Sequence, residues 1–196
     1  MFQATGDFGY LTQARAYADE LLTHFWDEAE SSFFQTSDQA EALISRPKHV
    51  FDEAVPSSNG VAASVLHRLA VLYDDERFRQ TAQRVAAAMS PALAQYPTAL
   101  GSTLVALDEI VATPQEVVII GERDQADTQA MLAALNRRHL PHVTVVVAAP
   151  DAPEIAMLPL LAERSQRDGK ATAYVCRAYS CQQPTTDAAE MERQLG

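Results

Sequence analysis

Over residues 10–26 the apolar side chains Tyr10, Leu11, Ala14, Ala18, Leu21, Leu22 and Phe25 recur at steps of three and four. That spacing predicts an amphipathic helix, and Asp7 stands where its N-cap belongs. Residues 27–55 lose the period and are too many for an ordinary connection, so this stretch is read as functional or locally folded. A short extended piece is expected near Phe33, and a helical turn over residues 39–44. Helical spacing returns after Pro56-Ser57-Ser58-Asn59, with Val61, Ala62, Val65, Leu66, Leu69 and Leu72. This helix, to Tyr73, is apolar round most of its circumference and is expected to be buried on more than one side. A second helix is predicted over residues 76–90, with Phe78, Ala82, Val85 and Met89 inward and Pro91 stopping or kinking it. A third opens at Pro97, carries Leu100, Leu104, Leu107 and Val111, and ends before Pro114. Short links between successive helices imply antiparallel hairpins.

Past Pro114 the period shortens. Val117-Val118-Ile119-Ile120 is a β-branched run of the kind covered on both faces. A helical stretch over residues 125–138 and a second β-branched run over 142–147 complete a βαβ pattern. A helix or turn is expected at 155–163, a third strand at 171–176, and a last helix capped by Thr185-Thr186-Asp187. The chain therefore reads as mainly α with a small α/β part. Helical hairpins occupy residues 1–113, and a three-stranded, mostly parallel α/β unit occupies 114–196.

Composition narrows the function classes. The 196 residues carry 26 acids against 15 bases, a net charge of −11. Both parts are acidic, with 15 acids and 7 bases up to residue 113 and 11 and 8 after it. No basic footprint for nucleic acid or anionic lipid exists, so neither is expected as a partner. No apolar run is long enough for a membrane span. The first residues have neither a basic nor an apolar segment of the secretory type, and the expected location is cytoplasmic. Two cysteines are too few for a disulfide scaffold.

Candidate chemistry gathers in residues 46–60, Arg-Pro-Lys-His-Val-Phe-Asp-Glu-Ala-Val-Pro-Ser-Ser-Asn-Gly. Arg46, Lys48, Asp52, Glu53, Ser57 and Asn59 lead into a helix start, where free N–H groups favour polar ligands. The same residues also suit a purely structural role, as caps and internal ion pairs. Cys176 and Cys181 sit at a strand end, four residues between them. They are read as a core thiol and a loop thiol, as a disulfide, or as a redox pair, with Arg177 near enough in sequence to lower a thiol pKa. Asp27, Glu28 and Glu30 read as a solvated acidic corner. The cysteine and histidine spacings match no metal site, and a lone Gly121 after a strand is no dinucleotide motif, so neither metal nor cofactor is expected.

Two stretches together resemble a known family. They are Arg46-Pro-Lys through Asp52-Glu-Ala-Val-Pro56-Ser-Ser-Asn59-Gly-Val-Ala-Ala63, and Tyr174-Val-Cys176-Arg-Ala-Tyr-Ser-Cys181-Gln-Gln-Pro184-Thr-Thr186-Asp187. Both are similar to the C-terminal part of the thioredoxin-domain-containing proteins of the bacterial YyaL type, with spermatogenesis-associated relatives in animals. The segments Phe33-Phe34 to Leu43-Ile44 and Glu116 to Gly121 fit in the same order. The resemblance implies an α/α toroid akin to the six-hairpin glycosidases and N-acylglucosamine 2-epimerases, of which this chain would build the last hairpins. The family's thioredoxin-like domain has no counterpart here.

The resemblance further implies a place in carbohydrate metabolism, with the 46–59 loop on the rim of a pocket for a small sugar-like ligand. Asp52 or Glu53 would then act as acid or base, Arg46 and Lys48 would hold anionic or hydroxyl groups, and Ser57 and Asn59 would hydrogen-bond. One carboxylate cluster is not the opposed pair of a glycosidase, so no independent catalysis is expected. The alternative is an interaction or oligomerisation module, because an incomplete ring leaves apolar helix faces for self-association or for the rest of a parent chain. A weaker alternative is thiol redox through Cys176 and Cys181.

Overall fold

The computed structural model describes residues 1–41, 44–178 and 180–196. It is mainly α with a small α/β part and separates into two compact units. One comprises Leu11–Val71 and Asp75–Ala112, the other Met1–Tyr10, Leu72–Asp74 and Thr113–Gly196.

In the helical unit, a short first helix α1 (Phe2–Thr5) having been left to the other unit, the first long helix is α2 (Phe8–His24). Asp7 caps it, its carboxylate accepting from Gly9 N–H at 2.8 Å. The stretch that loses helical period opens as a small antiparallel ribbon, β1 (Trp26–Asp27) against β2 (Ser32–Phe33). Phe33 is fully buried, and its ring stands 5.0 Å from that of Trp26. The turn expected over 39–44 centres on Ala42 and Leu43, which lie outside the described residues.

Helix α3 (Ser58–Tyr73) follows, then α4 (Glu76–Gln95), whose N-cap Asp75 accepts from Arg77 N–H. Pro91 neither stops α4 nor ends its apolar stripe: Phe78, Ala82, Val85, Ala86, Met89 and Leu93 are all buried. A proline at 91 removes the N–H that would bond the Ala87 carbonyl, and Ala87 is on the exposed face, where water can serve it. Pro97 opens a single 3-10 turn, Pro97–Ala99, and the helix proper is α5 (Gly101–Val111).

Gly60, in the first turn of α3, lies against the start of α5. A Cβ there would stand 2.8 Å from the Thr103 backbone nitrogen, so only glycine allows this approach. Deeper in, Glu109 of α5 is buried and accepts from Ser64 Oγ at 2.5 Å and from the Arg68 guanidinium, both on α3.

The α/β unit is built on a four-stranded sheet in the order β4-β3-β5-β6. Strand β3 (Gln115–Ile120) is followed by α6 (Ala126–Asn136) and β4 (Val143–Ala148), and β3 and β4 run parallel. This is the predicted βαβ unit. The expectation of three mostly parallel strands is corrected beyond it. Strand β5 (Thr172–Arg177) pairs antiparallel with β3, and β6 (Ser180–Cys181) antiparallel with β5.

The cause lies between β4 and β5. A parallel return needs a crossover, usually a helix, and the 155–163 region makes only the 3-10 turns Pro153–Met157 and Pro159–Leu161. Ala178, at φ 48°, leaves the end of β5, and β6 pairs back on β5 antiparallel. Under the sheet, Val117, Ile119, Met131, Leu135, Val147, Val175 and Met191 form one apolar core with α6 and α7 (Ala188–Gln194). Asp187 caps α7, accepting from Glu190 N–H at 2.8 Å.

Candidate functional site

The 46–59 loop is held by its own polar groups. Arg46 donates to the Thr36 carbonyl at 2.5 Å and to the His24 carbonyl at 3.0 Å, its guanidinium 4.1 Å from the centre of the Phe34 ring. Lys48 reaches Asp27 at 2.5 Å and Glu30 at 2.6 Å. Burial pulls the Lys48 ammonium down, but the two carboxylates outweigh it and hold the pKa above the ordinary lysine value. The acidic corner is thus a cation clasp, completed by Glu28, which accepts from Trp26 Nε1 and Arg84.

Asp52 is the hub of a second clasp. Its carboxylate accepts from Ser57 N–H at 2.6 Å, Ser102 N–H at 2.7 Å and Ser102 Oγ at 2.5 Å. Partial burial pushes the carboxyl up, yet the Ser102 and Ser57 hydrogen bonds together hold it below the usual aspartate value. The loop is thereby tied to the first turns of both α3 and α5.

Asn59, fully buried, works as a strand would: Oδ1 accepts from Phe33 N–H at 2.7 Å, and Nδ2 donates to the Phe33 and His49 carbonyls, both at 3.1 Å. Ser57 Oγ donates to the His49 carbonyl and accepts from Gly60 N–H. The polar groups of Arg46, Lys48, Asp52, Ser57 and Asn59 are therefore all aimed at the chain itself. Glu53 is apart from these bonds, in an exposed position.

The open surface of this unit is apolar instead. A groove of about 570 Å³ runs between α2 and α3, walled by Ala14, Tyr17 and Leu21 on one side and Pro56, Val61 and Val65 on the other. Tyr17 is 62 % exposed, Val61 44 % and Val65 42 %. Helix α3 is buried round most of its circumference, with Asn59, Ala62, Ala63, Leu66, Leu69, Ala70 and Leu72 all closed off, but nothing among the described residues covers the Val61–Val65 strip.

In the α/β unit, Cys176 and Cys181 are cross-strand partners joined by a disulfide. Cys176 is buried and Cys181 exposed. Arg177 does not approach them, since neighbours on a strand face opposite ways and Arg177 is exposed. Arg164 does: its Nη2 lies 3.2 Å from Cys176 Sγ and 3.5 Å from Cys181 Sγ, and its guanidinium stands 5.6 Å from the Tyr174 ring centre. Glu116, buried, is the register partner of Cys176 on β3. Burial lifts the Glu116 carboxyl above its ordinary value against the opposing pull of Arg164.

Comparison with known proteins finds relatives that match the whole chain. The chain is similar from end to end to spermatogenesis-associated protein 20. Identity is 28 % to the human protein and 26 % to the rat and mouse proteins, over 198 aligned residues covering the whole chain. The chain spans a quarter of the length of these curated relatives (25 % of each), and the match falls in their C-terminal region. No family model matches. The similarity to spermatogenesis-associated protein 20 is consistent with a module of a larger protein.

Ser102 and Arg164 are the residues that sequence reasoning missed. Ser102 follows a glycine at a helix start, a signal available in the chain, whereas nothing in the spacing of Arg164 points to sulfur.

Proposed function

We propose that this chain works as the C-terminal module of a larger protein built as an α/α toroid of helical hairpins. It docks through the α2–α3 groove onto the helical segment that lies ahead of the matched region in its relatives, and it has no catalysis of its own. The exposed strip of Tyr17, Val61 and Val65 carries this reading. An apolar groove of this extent is a surface to be covered, and three quarters of the relatives' length lies outside the match, which covers 25 % of each. A sugar-like ligand at the 46–59 loop draws no support from the geometry, because Arg46, Lys48, Asp52, Ser57 and Asn59 are already bonded within the chain.

The test is occupancy of the groove. The wild-type chain should bind an apolar fluorescent dye, and Val65→Glu should remove that binding. Titration with human spermatogenesis-associated protein 20 lacking its own matching region should displace the dye. A discrete dimer in sedimentation that buries the groove would assign it to a second copy and overturn the proposal. So would dye that the relative's remainder leaves in place.

A further inference from the structure

The sulfur cluster of the α/β unit is independent of the docking surface and has an asymmetry of its own. One sulfur, on Cys181, belongs to an exposed residue, and the other, on Cys176, to a residue 2 % exposed. The nearer cation, Arg164, sits closer to the buried sulfur, 3.2 Å against 3.5 Å. Arg164 is itself held in place by its donation to the Leu160 carbonyl and by the Tyr174 ring, whose hydroxyl is fixed by Ser165 N–H at 3.0 Å and the Ser165 carbonyl at 2.8 Å. The two disulfide sulfurs are weak acceptors for this guanidinium, which otherwise feels the Glu116 carboxylate opposite Cys176 on β3, and opening the bond turns a sulfur into a thiolate that can pair with it at short range.

We propose that Cys176–Cys181 is a thiol–disulfide exchange site, at which a dithiol attacks the Cys181 sulfur and Cys176 leaves as a thiolate held by Arg164. The first step forms a bond between one sulfur of the dithiol and Cys181 Sγ and breaks the Cys176–Cys181 bond. In the second step the other sulfur of the dithiol, as its thiolate, attacks the mixed disulfide. It leaves as a cyclic or intramolecular disulfide, and Cys181 is released as a thiolate that takes a proton from water. Two electrons pass from the dithiol to the protein, and the dithiol is the only co-reactant. Three features assign the direction of attack: exposure selects Cys181 as the electrophile, burial protects Cys176, and the guanidinium lowers the pKa of the leaving thiol, which speeds its departure.

The experiment uses the folded full chain. Brief exposure to glutathione, acid quench and peptide mass mapping should place the adduct on Cys181. Dithiothreitol should then release two thiols without denaturant. Arg164→Leu should slow the first attack about tenfold, and Arg164→Lys, which keeps the charge, should restore most of the rate. Circular dichroism checks that each variant is folded, and the adduct position in the wild-type chain decides the proposal even where Arg164→Leu does not fold. An adduct on Cys176, reduction only after unfolding, or equal rates in a folded Arg164→Leu chain would each overturn it.

Discussion

The two units divide polar and apolar work in opposite ways. In the helical unit the long loop is polar and closed on itself, with Asp52, Asn59 and Lys48 each bonded several times inside the chain, whereas the α2–α3 surface is apolar and open. In the α/β unit the apolar side is closed, Val117 to Ile120 being fully buried, and the chemistry at the surface is polar and sulfur-bearing. The lesson is that a cluster of charged and amide residues in sequence does not mark a ligand site by itself. A long loop packed under helices must satisfy its own donors and acceptors, and these residue types are what it needs to do so.

The comparison predicts that core and clasp substitutions will differ in kind. Ile119→Ala in the closed α/β core should cost about 2–5 kcal/mol, the range for emptying a filled core; a shift of the urea midpoint too small for that would mean the core relaxes and is not closed. Asn59→Ala should cost about 2–3 kcal/mol, because Phe33 N–H and two carbonyls lose partners in a buried place. A loss below about 0.5 kcal/mol would break the view of the loop as a structural clasp.

Asp52→Asn should cost about 1–2 kcal/mol at neutral pH and show a characteristic pH dependence. The native carboxyl titrates below its ordinary value, so the unfolded chain takes up the proton first. The stability Asp52 contributes is complete above the ordinary aspartate pKa of 3.8 and disappears as pH falls through the lower native value. Wild-type and variant denaturation curves should therefore stay separated by a constant amount down to about pH 5 and converge in stronger acid. The smallest effect belongs to Glu53→Ala, in an exposed position apart from these bonds; stability should move by no more than about 0.5 kcal/mol in thermal melts.

Much of the fold was legible locally. The stripes of α2 and α4, the caps Asp7 and Asp187, and the run through Val117–Ile120 each report a short-range preference, and the structure has each of them. The candidate loop was legible as a cluster and not as a purpose, since Ser102, its decisive partner, lies 50 positions from Asp52. Arg177 looked like the cation beside sulfur by adjacency alone. Strand alternation turned it away and left the role to Arg164, which is 12 positions from Cys176.

The pattern of the chain by itself determined the helix periods, the βαβ unit, the acidic balance and the absence of any long apolar run, because each depends on neighbours within a few residues. Only the tertiary structure decided the antiparallel placement of β5 and β6, the pairing of Cys176 with Cys181, the inward commitment of the 46–59 loop and the open Val61–Val65 strip. Those features depend on which distant groups meet, and a hydrogen-bond donor or an apolar side chain carries no mark in sequence of the partner that will satisfy it.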